Sequence, residues 1–191
     1  MPLTRRALLL ASGGVTFSSI VNANSLDGKI TVDDEVQAFQ ALKNSRLISK
    51  DGRSIDVNQF RGKFLIVNFW AYWCPNCIVE FQSLGQLQQL AGGPTKLDVL
   101  LISTKDNWER DKAFAQQNRV PFALSYIEPP ESPKVVFGEM QGSILRNGLP
   151  ISYIIRPDGS LATVHIGGAD WMGSKASAVQ VRCWVSPGSC R

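Results

Sequence analysis

The stretch KFLIVNFWAYWCPNC, residues 63–77, joins a nearly continuous apolar run to two cysteines that are separated by Pro75 and Asn76. The run KFLIVNFW, residues 63–70, is typical of a central strand that is buried on both faces of a sheet. Pro75 suits the first position of a helix, where its missing N–H costs nothing. The sequence therefore predicts a strand that ends shortly before Cys74 and a helix that begins there.

The rest of the chain alternates between strand and helix patterns. The helix after Pro75 continues at helical spacing until Gly92-Gly93-Pro94 ends it. Two short strands are predicted around the turn at Asp51-Gly52. Further strands are predicted at 96–104 and 121–127 and in a hairpin over 151–167, with helices at 106–118 and 168–184. Because such alternation gives a parallel core, we predict an α/β fold with a central mixed sheet flanked by helices.

Composition indicates one globular domain that binds no nucleic acid. The chain has 191 residues, of which 44% are hydrophobic and 19% are charged, so it can form a core. The net charge is +4, but the lysines and arginines are scattered and do not form a basic face with interleaved aromatic residues. We therefore expect no nucleic-acid partner. We also expect no bound cofactor or metal.

Residues 1–23 have the layout of an export signal, followed by a polar lead-in over 24–43. Arg5 and Arg6 precede an apolar segment, and the small residues Val21 and Ala23 follow it. The apolar segment is shorter and more polar than the roughly 20 residues of a spanning helix, although an uncleaved membrane anchor remains the alternative. The run TRRALLL is similar to a twin-arginine signal. We expect cleavage after Ala23 and a location in the bacterial periplasm, where disulfides persist.

The spacing of Cys74 and Cys77 suits thiol–disulfide exchange. Only a thiolate attacks a disulfide, and a helix N-terminus lowers the pKa of a cysteine placed there. Cys77 lies one turn further along the same helix face. We expect an exposed Cys74 to attack the substrate disulfide, and Cys77 to lie behind it and resolve the mixed disulfide.

Other interpretations of the pair remain open. With Cys183 and Cys190 it could form a zinc site, although these two are seven residues apart and the chain has one histidine. A structural disulfide would close too short a loop to constrain much chain entropy. A cysteine peroxidase needs Thr and Pro ahead of its cysteine, where Tyr72 and Trp73 stand. A Cu(I) metallochaperone, which would need a third soft ligand, and a disulfide-stapled interaction domain are the alternative functions.

Three segments carry a resemblance to a known family. KFLIVNFWAYWCPNC with Glu80, RSIDVNQFRGK before it, and NGLPISYIIRPDGSLATVHIGGADW after it resemble the thioredoxin-like periplasmic oxidoreductases of the TlpA/ResA/CcmG (DsbE-like) group, over residues 44–172. The resemblance implies a thioredoxin fold over 44–181 with an N-terminal hairpin extension. It also implies reduction of disulfide-containing partner proteins, such as apocytochrome c or copper-site proteins of oxidase assembly. Electrons would come from a membrane donor of the DsbD/CcdA type.

The resemblance also assigns roles to single residues. Pro150 would be a cis-proline that faces the cysteine pair, and Leu149 beside it would pair with a substrate chain as an added strand. Glu80 would take the proton from Cys77. Trp73 would help to dock partners, together with Pro75 and Asn76 of the motif.

Other positions carry weaker expectations. Asn68 stands where cytosolic thioredoxins carry a buried acidic proton shuttle, a task that an amide cannot perform, so Glu80 or water would replace it. Gln82 stands where a proline is common in the family. We expect Trp70 to be a core residue and His165 to have a structural role or to be exposed.

The last segment, 182–191, is predicted to be a C-terminal extension outside the thioredoxin-like domain. Cys183 and Cys190 enclose a good turn at Ser186-Pro187-Gly188 and would form a structural disulfide, worth roughly 2–3 kcal/mol for so short a loop. The alternative is a second redox pair that relays electrons to or from Cys74.

Overall fold

A computed structural model describes residues 32–103, 107–127 and 148–189, so the predicted export signal lies outside the described residues. In chain order the elements are α1 (Val32–Lys43), β1 (Leu47–Ser49), β2 (Ser54–Ile55), a 3-10 turn (Val57–Phe60), β3 (Phe64–Phe69), α2 (Pro75–Leu90), β4 (Leu97–Ser103), α3 (Trp108–Gln117), β5 (Ala123–Ile127), β6 (Ile151–Ile155), β7 (Leu161–Ile166), α4 (Ala176–Val185) and a second 3-10 turn (Pro187–Ser189). Within these ranges no helix has the length and apolar character that crossing a membrane requires.

The described strands form one seven-stranded mixed sheet in the order β2-β1-β5-β4-β3-β6-β7. β3, β4 and β5 run parallel to one another. At one edge β6 and β7 are added by antiparallel pairing, and at the other edge β1 and β2 are added in the same way. This confirms the predicted α/β fold. Because β3 and β4 end at the same edge, the loop that follows β3 lies where sites form in open α/β sheets.

Both faces of β3 are covered, which explains its continuous apolar sequence. Ile66 belongs to a core cluster with residues of α2 and α4, whereas Leu65 and Val67 belong to a second cluster with α1 on the opposite face. Asn68 is the polar exception, since it lies in β3 with 0% of its surface exposed. A buried amide on this strand has to find hydrogen-bond partners, and these lie in the site described below.

The N-terminal part of the domain extends further than predicted. Residues 32–43, which the sequence analysis assigned to a lead-in, form α1, and its Phe39 and Leu42 are buried against the sheet. Two apolar side chains three residues apart cover this part of the sheet face, a pattern too sparse to stand out in a polar segment. The hairpin around Asp51-Gly52 is confirmed, with Gly52 at a φ of 75°.

The last helix is shorter at its start than predicted. It begins at Ala176, because residues 168–170 have no regular structure and residues 171–175 form turns and bends instead. Asp170 accounts for the difference, because its carboxylate accepts the N–H of Met172 (3.0 Å) and its carbonyl accepts that of Gly173 (2.9 Å), bonds that compete with a helix. The helix ends at Val185, which is buried in the core cluster, so the predicted extension from residue 182 begins inside α4.

Candidate functional site

The cysteine pair lies at the start of α2, as predicted. Cys74 and Cys77 form a disulfide with an S–S distance of 2.01 Å and Cα atoms 5.4 Å apart. Cys74 is the N-cap residue, and its sulfur accepts the backbone N–H of Cys77 at 3.2 Å, while Pro75 is the first helical residue. The free N–H groups and dipole of the helix therefore act on the Cys74 sulfur and favour its thiolate.

The prediction that Cys74 is exposed is wrong for the disulfide form. Its exposed fraction is 3%, and that of Cys77 is 0%. The bond to Cys77 holds the Cys74 sulfur against the core cluster of α2, to which both cysteines belong. Attack on this disulfide therefore requires a reaction partner that is placed closely against the surface around it.

That surface carries the other residues of the motif. Trp73 is 56% exposed, and Pro75 and Asn76 are exposed beside it. The Leu149–Pro150 peptide bond is cis, as the resemblance implied, and Leu149 packs against the cluster that contains both cysteines. The roles of these residues in partner binding remain predictions.

Trp70 is a core residue, as predicted. It is 1% exposed and makes an edge contact with Phe81, with ring centroids 5.2 Å apart, and a tilted contact with Phe114 at 6.1 Å. The two tryptophans of the motif thus have opposite environments, since Trp70 is buried and Trp73 is exposed. Trp70 secures the loop to the core, and Trp73 extends from it.

Glu80 lies behind the cysteine pair, one turn after Cys77 on the buried face of α2. It is 1% exposed, and its two oxygens accept the side-chain amide of Asn68 and the backbone N–H of Ala169 (3.1 Å). Burial raises the pKa of Glu80 to about 7, against the opposing effect of the hydrogen bonds from Ala169 and Asn68. A carboxyl group with this pKa can both accept and donate a proton near neutral pH.

Serine residues that the sequence analysis missed hold this carboxyl group in place. Asn68 also donates to Ser152 Oγ (2.9 Å), its partner in the β3–β6 register. Ser83 Oγ accepts the N–H of Trp171 (3.1 Å) and donates to the Glu80 carbonyl (3.0 Å), which fastens the segment after β7 to α2. The available signal in the sequence was that two polar residues, Glu80 and Ser83, stand on the side of α2 that faces the core.

A second buried carboxylate also escaped the sequence analysis. Asp111 in α3 is 0% exposed, and its Oδ1 accepts the backbone N–H of Tyr72 at 2.7 Å. The buried residues of α3 are Trp108, Asp111 and Ala115, so a charged residue at core spacing was the available signal.

His165 lies on β7, opposite Ser152 in the β6–β7 register, and Cys183 lies on α4. The His165 ring makes an edge contact with Trp171, with centroids 5.4 Å apart, and burial lowers the pKa of His165. This agrees with a structural role. Cys183 lies on α4, but Cys190 is outside the described residues, so their pairing remains a prediction. Within the described ranges, no three His, Cys, Asp or Glu side chains group as metal ligands would.

Comparison with known proteins adds independent information. The model of the AhpC/TSA family matches residues 32–164. The thiol:disulfide interchange protein DsbE of Vibrio cholerae is 27% identical over 165 residues, which cover 84% of this chain and 81% of that protein. The thiol-disulfide oxidoreductase ResA of Bacillus cereus is 23% identical over 154 residues, which cover 81% of this chain and 80% of that protein.

A solved structure supports the fold. The structure of a putative thiol:disulfide interchange protein DsbE from Chlorobium tepidum superposes with a TM-score of 0.55 at 18% identity. The superposition covers 76% of this chain and 92% of the other. At this level of identity the match establishes the thioredoxin-like fold and leaves the chemistry to the site.

Proposed function

Because this chain belongs to the AhpC/TSA family, we propose that it is a thiol–disulfide oxidoreductase of the DsbE/ResA type that reduces disulfides in particular partner proteins. The observation that carries this proposal is the Cys74–Cys77 disulfide at the N-terminus of α2, with the buried Glu80 one turn behind it. The relatives named as thiol:disulfide interchange protein and thiol-disulfide oxidoreductase support the same chemistry.

The reaction moves two electrons from the reduced pair to the substrate. The Cys74 thiolate attacks one sulfur of the substrate disulfide, which forms a mixed disulfide and releases a substrate thiolate. Cys77 then gives its proton to Glu80, and its thiolate attacks the Cys74 sulfur. The second substrate thiolate leaves, and Cys74 and Cys77 end as a disulfide that a donor dithiol must reduce again.

The surroundings of the pair assist each step. The helix N-terminus favours the Cys74 thiolate. Glu80, with a pKa of about 7, can receive the Cys77 proton and return it to a departing thiolate. The backbone beside Pro150 would pair with an extended substrate segment, and the exposed Trp73 would contact the partner.

The location and the partners follow from the N-terminal pattern and the family resemblance. Residues 1–23 would export the protein to the bacterial periplasm, either cleaved or retained as an anchor. The substrates would be disulfides of apocytochrome c or of copper-site proteins in oxidase assembly. A membrane protein of the DsbD/CcdA type would supply electrons.

Trapping of mixed disulfides tests this function. Cys77→Ser should accumulate mixed disulfides with partner proteins that dithiothreitol releases, because the resolving thiol is missing. Cys74→Ser is the matched control and should trap none. Multiple turnovers of a protein disulfide by either variant would contradict the mechanism. Faster consumption of hydrogen peroxide than of protein disulfides would instead assign peroxidase chemistry, which Tyr72 and Trp73 ahead of Cys74 disfavour.

A further inference from the structure

Asp111 is a buried carboxylate that the chemistry above does not use. It is fully buried, and Oδ1 accepts the backbone N–H of Tyr72 at 2.7 Å, across 39 positions of sequence. The side chain of Ser103 in β4 lies close enough to this carboxyl group to lower its pKa, although burial raises the pKa more. Burial of a carboxylate costs free energy, so the contact that it does make needs an explanation.

The explanation lies in the turn that leads into the redox pair. The N–H of Cys74 donates to the carbonyl of Ala71 at 3.0 Å, which closes a four-residue turn over residues 71–74. A turn of this kind leaves the N–H of its second residue, here Tyr72, without a partner inside the turn. Tyr72 is only partly exposed, so its N–H needs an acceptor from elsewhere, and Asp111 supplies it.

The same part of α3 also holds the Tyr72 side chain. Arg110 Nη1 donates to Tyr72 Oη at 3.0 Å, and its guanidinium lies 5.9 Å from the centroid of the ring. On the β3 side of the turn, the N–H of Trp70 donates to the carbonyl of Ile102 in β4 at 3.2 Å. The connection from β3 to α2 is thus fixed to β4 at one point and to α3 at another, immediately before Cys74.

We propose that Asp111 is a positioning residue for the redox reaction, which holds the turn 71–74 so that Cys74 caps α2 in its reactive orientation. This role rests on the proposed function of the pair. Asp111 acts as a hydrogen-bond acceptor for the backbone of Tyr72, not as a group that exchanges protons with the substrate.

Two substitutions separate this role from a merely structural one. Asp111→Asn keeps an acceptor oxygen, so kcat/KM for a protein disulfide should stay within about threefold of the unchanged protein. Asp111→Ala removes the acceptor and should lower kcat/KM by about tenfold, since a misplacement of reacting groups by about 1 Å can cost about 100-fold and the other contacts of the turn remain. The pH midpoint of Cys74 alkylation in the reduced protein should shift in Asp111→Ala and stay in Asp111→Asn.

Asp98 offers a matched control. Its carboxylate is partly buried and pairs with Lys63 at 2.7 Å, near the start of β4 and away from the redox turn. Asp98→Ala should therefore leave both the kcat/KM and the alkylation midpoint unchanged. An Asp111→Ala protein with the kcat/KM and midpoint of the unchanged protein would overturn the proposal. An Asp111→Asn protein with a kcat/KM as low as that of Asp111→Ala would also overturn the proposal, because the charge of Asp111 and not its hydrogen-bond acceptor would then determine the rate.

A measurement on the unchanged protein keeps the proposal testable if Asp111→Ala does not fold. Hydrogen exchange should find the Tyr72 amide protected, because this N–H donates a hydrogen bond to Asp111 Oδ1. Exchange at the rate of an exposed loop amide would contradict the proposed contact. Failure of the unchanged protein to reduce any disulfide would refute the proposed function instead, and the alkylation and exchange measurements would still test Asp111.

Discussion

Two buried carboxyl groups, Glu80 and Asp111, lie in the elements that hold the cysteine pair and its preceding turn. Burial raises the pKa of both Glu80 and Asp111. Glu80 lies on the helix that carries the cysteines and accepts hydrogen bonds from an amide side chain and a backbone N–H. Asp111 reaches the loop from a different helix and holds its backbone. We propose proton transfer as the role of Glu80 and orientation of the turn as the role of Asp111.

Replacement of Glu80 tests the proton-transfer role. Glu80→Gln keeps the size of the side chain but cannot ionise, so the step in which Cys77 loses its proton should slow. We expect the rate of disulfide turnover at neutral pH to fall by about 100-fold, in the range of general acid–base effects. The inflection near pH 7 in the pH–rate profile, which follows from the pKa of Glu80, should disappear. Turnover of a protein disulfide between about pH 5 and pH 9 is the measurement.

Glu109 provides the control for that substitution. Its side chain is 77% exposed and pairs with Lys112 one turn away on α3. Glu109→Gln makes the same chemical change outside the site and should leave the rate and the profile unchanged. A Glu80→Gln protein that kept the inflection near pH 7 would show that another group carries the proton.

At the scale of elements, the site depends on the contact between α2 and the segment after β7. Gly168 allows this contact, because a Cβ there would lie 3.0 Å from Cβ and 3.5 Å from Cγ of Asn76 in the first turn of α2. The next residue, Ala169, donates its N–H to Glu80. The close approach at Gly168 thus determines how well Glu80 is hydrogen-bonded.

Gly168→Ala should push this segment away from α2. Overpacking of this kind costs about 1 kcal/mol or more, and the weakened Ala169 bond would no longer oppose the effect of burial on Glu80. We therefore expect a lower unfolding midpoint and a pH–rate inflection moved to higher pH. Gly188→Ala, where a Cβ would meet nothing within 4 Å, should change neither. An inflection that stays in place in Gly168→Ala would contradict this account of the contact.

The sequence predicted those elements whose local pattern is strong. The continuous apolar run of β3, the Cys74-Pro75 helix start and the alternation along the chain were sufficient for the mixed sheet. The sequence did not predict α1, in which Phe39 and Leu42 are the buried apolar side chains among those that the structure describes. It also did not predict the turns at Asp170, whose hydrogen bonds compete with a helix. Hydrogen bonds such as Tyr72–Asp111 join residues 39 positions apart, and no local pattern specifies them.

At the scale of the whole molecule, the raised pKa of Glu80 makes folding stability depend on pH. Below about pH 4.5 Glu80 is protonated in both the folded and the unfolded chain, so it does not make the free energy of unfolding depend on pH. Between about pH 4.5 and pH 7 the unfolded chain ionises first, so it binds fewer protons and the free energy of unfolding falls as pH rises. Above about pH 7 Glu80 is ionised in both the folded and the unfolded chain, and its effect on the free energy of unfolding no longer changes with pH.

This linkage predicts a pH-dependent difference between the unchanged protein and Glu80→Gln. A pKa shift from 4.5 to about 7 corresponds to about 3 kcal/mol, so the stability of the unchanged protein relative to the variant should fall by roughly that amount over this range. Urea unfolding of the disulfide forms at several pH values measures it. A difference that is constant with pH would mean that Glu80 ionises normally in the folded protein.

The central claim is that the Cys74–Cys77 pair works as a reductant of partner disulfides, and its reduction potential tests that claim most directly. The protein without residues 1–23 is equilibrated across glutathione and dithiothreitol buffers, its thiols are trapped, and the masses give the fraction reduced. We predict a value near that of thioredoxin, roughly −270 mV, which makes the reduced pair an electron donor that needs an external supply of electrons. A value near −120 mV, as in a strong oxidant, would mean that the pair donates disulfides to its partners and would contradict the proposed direction of electron flow.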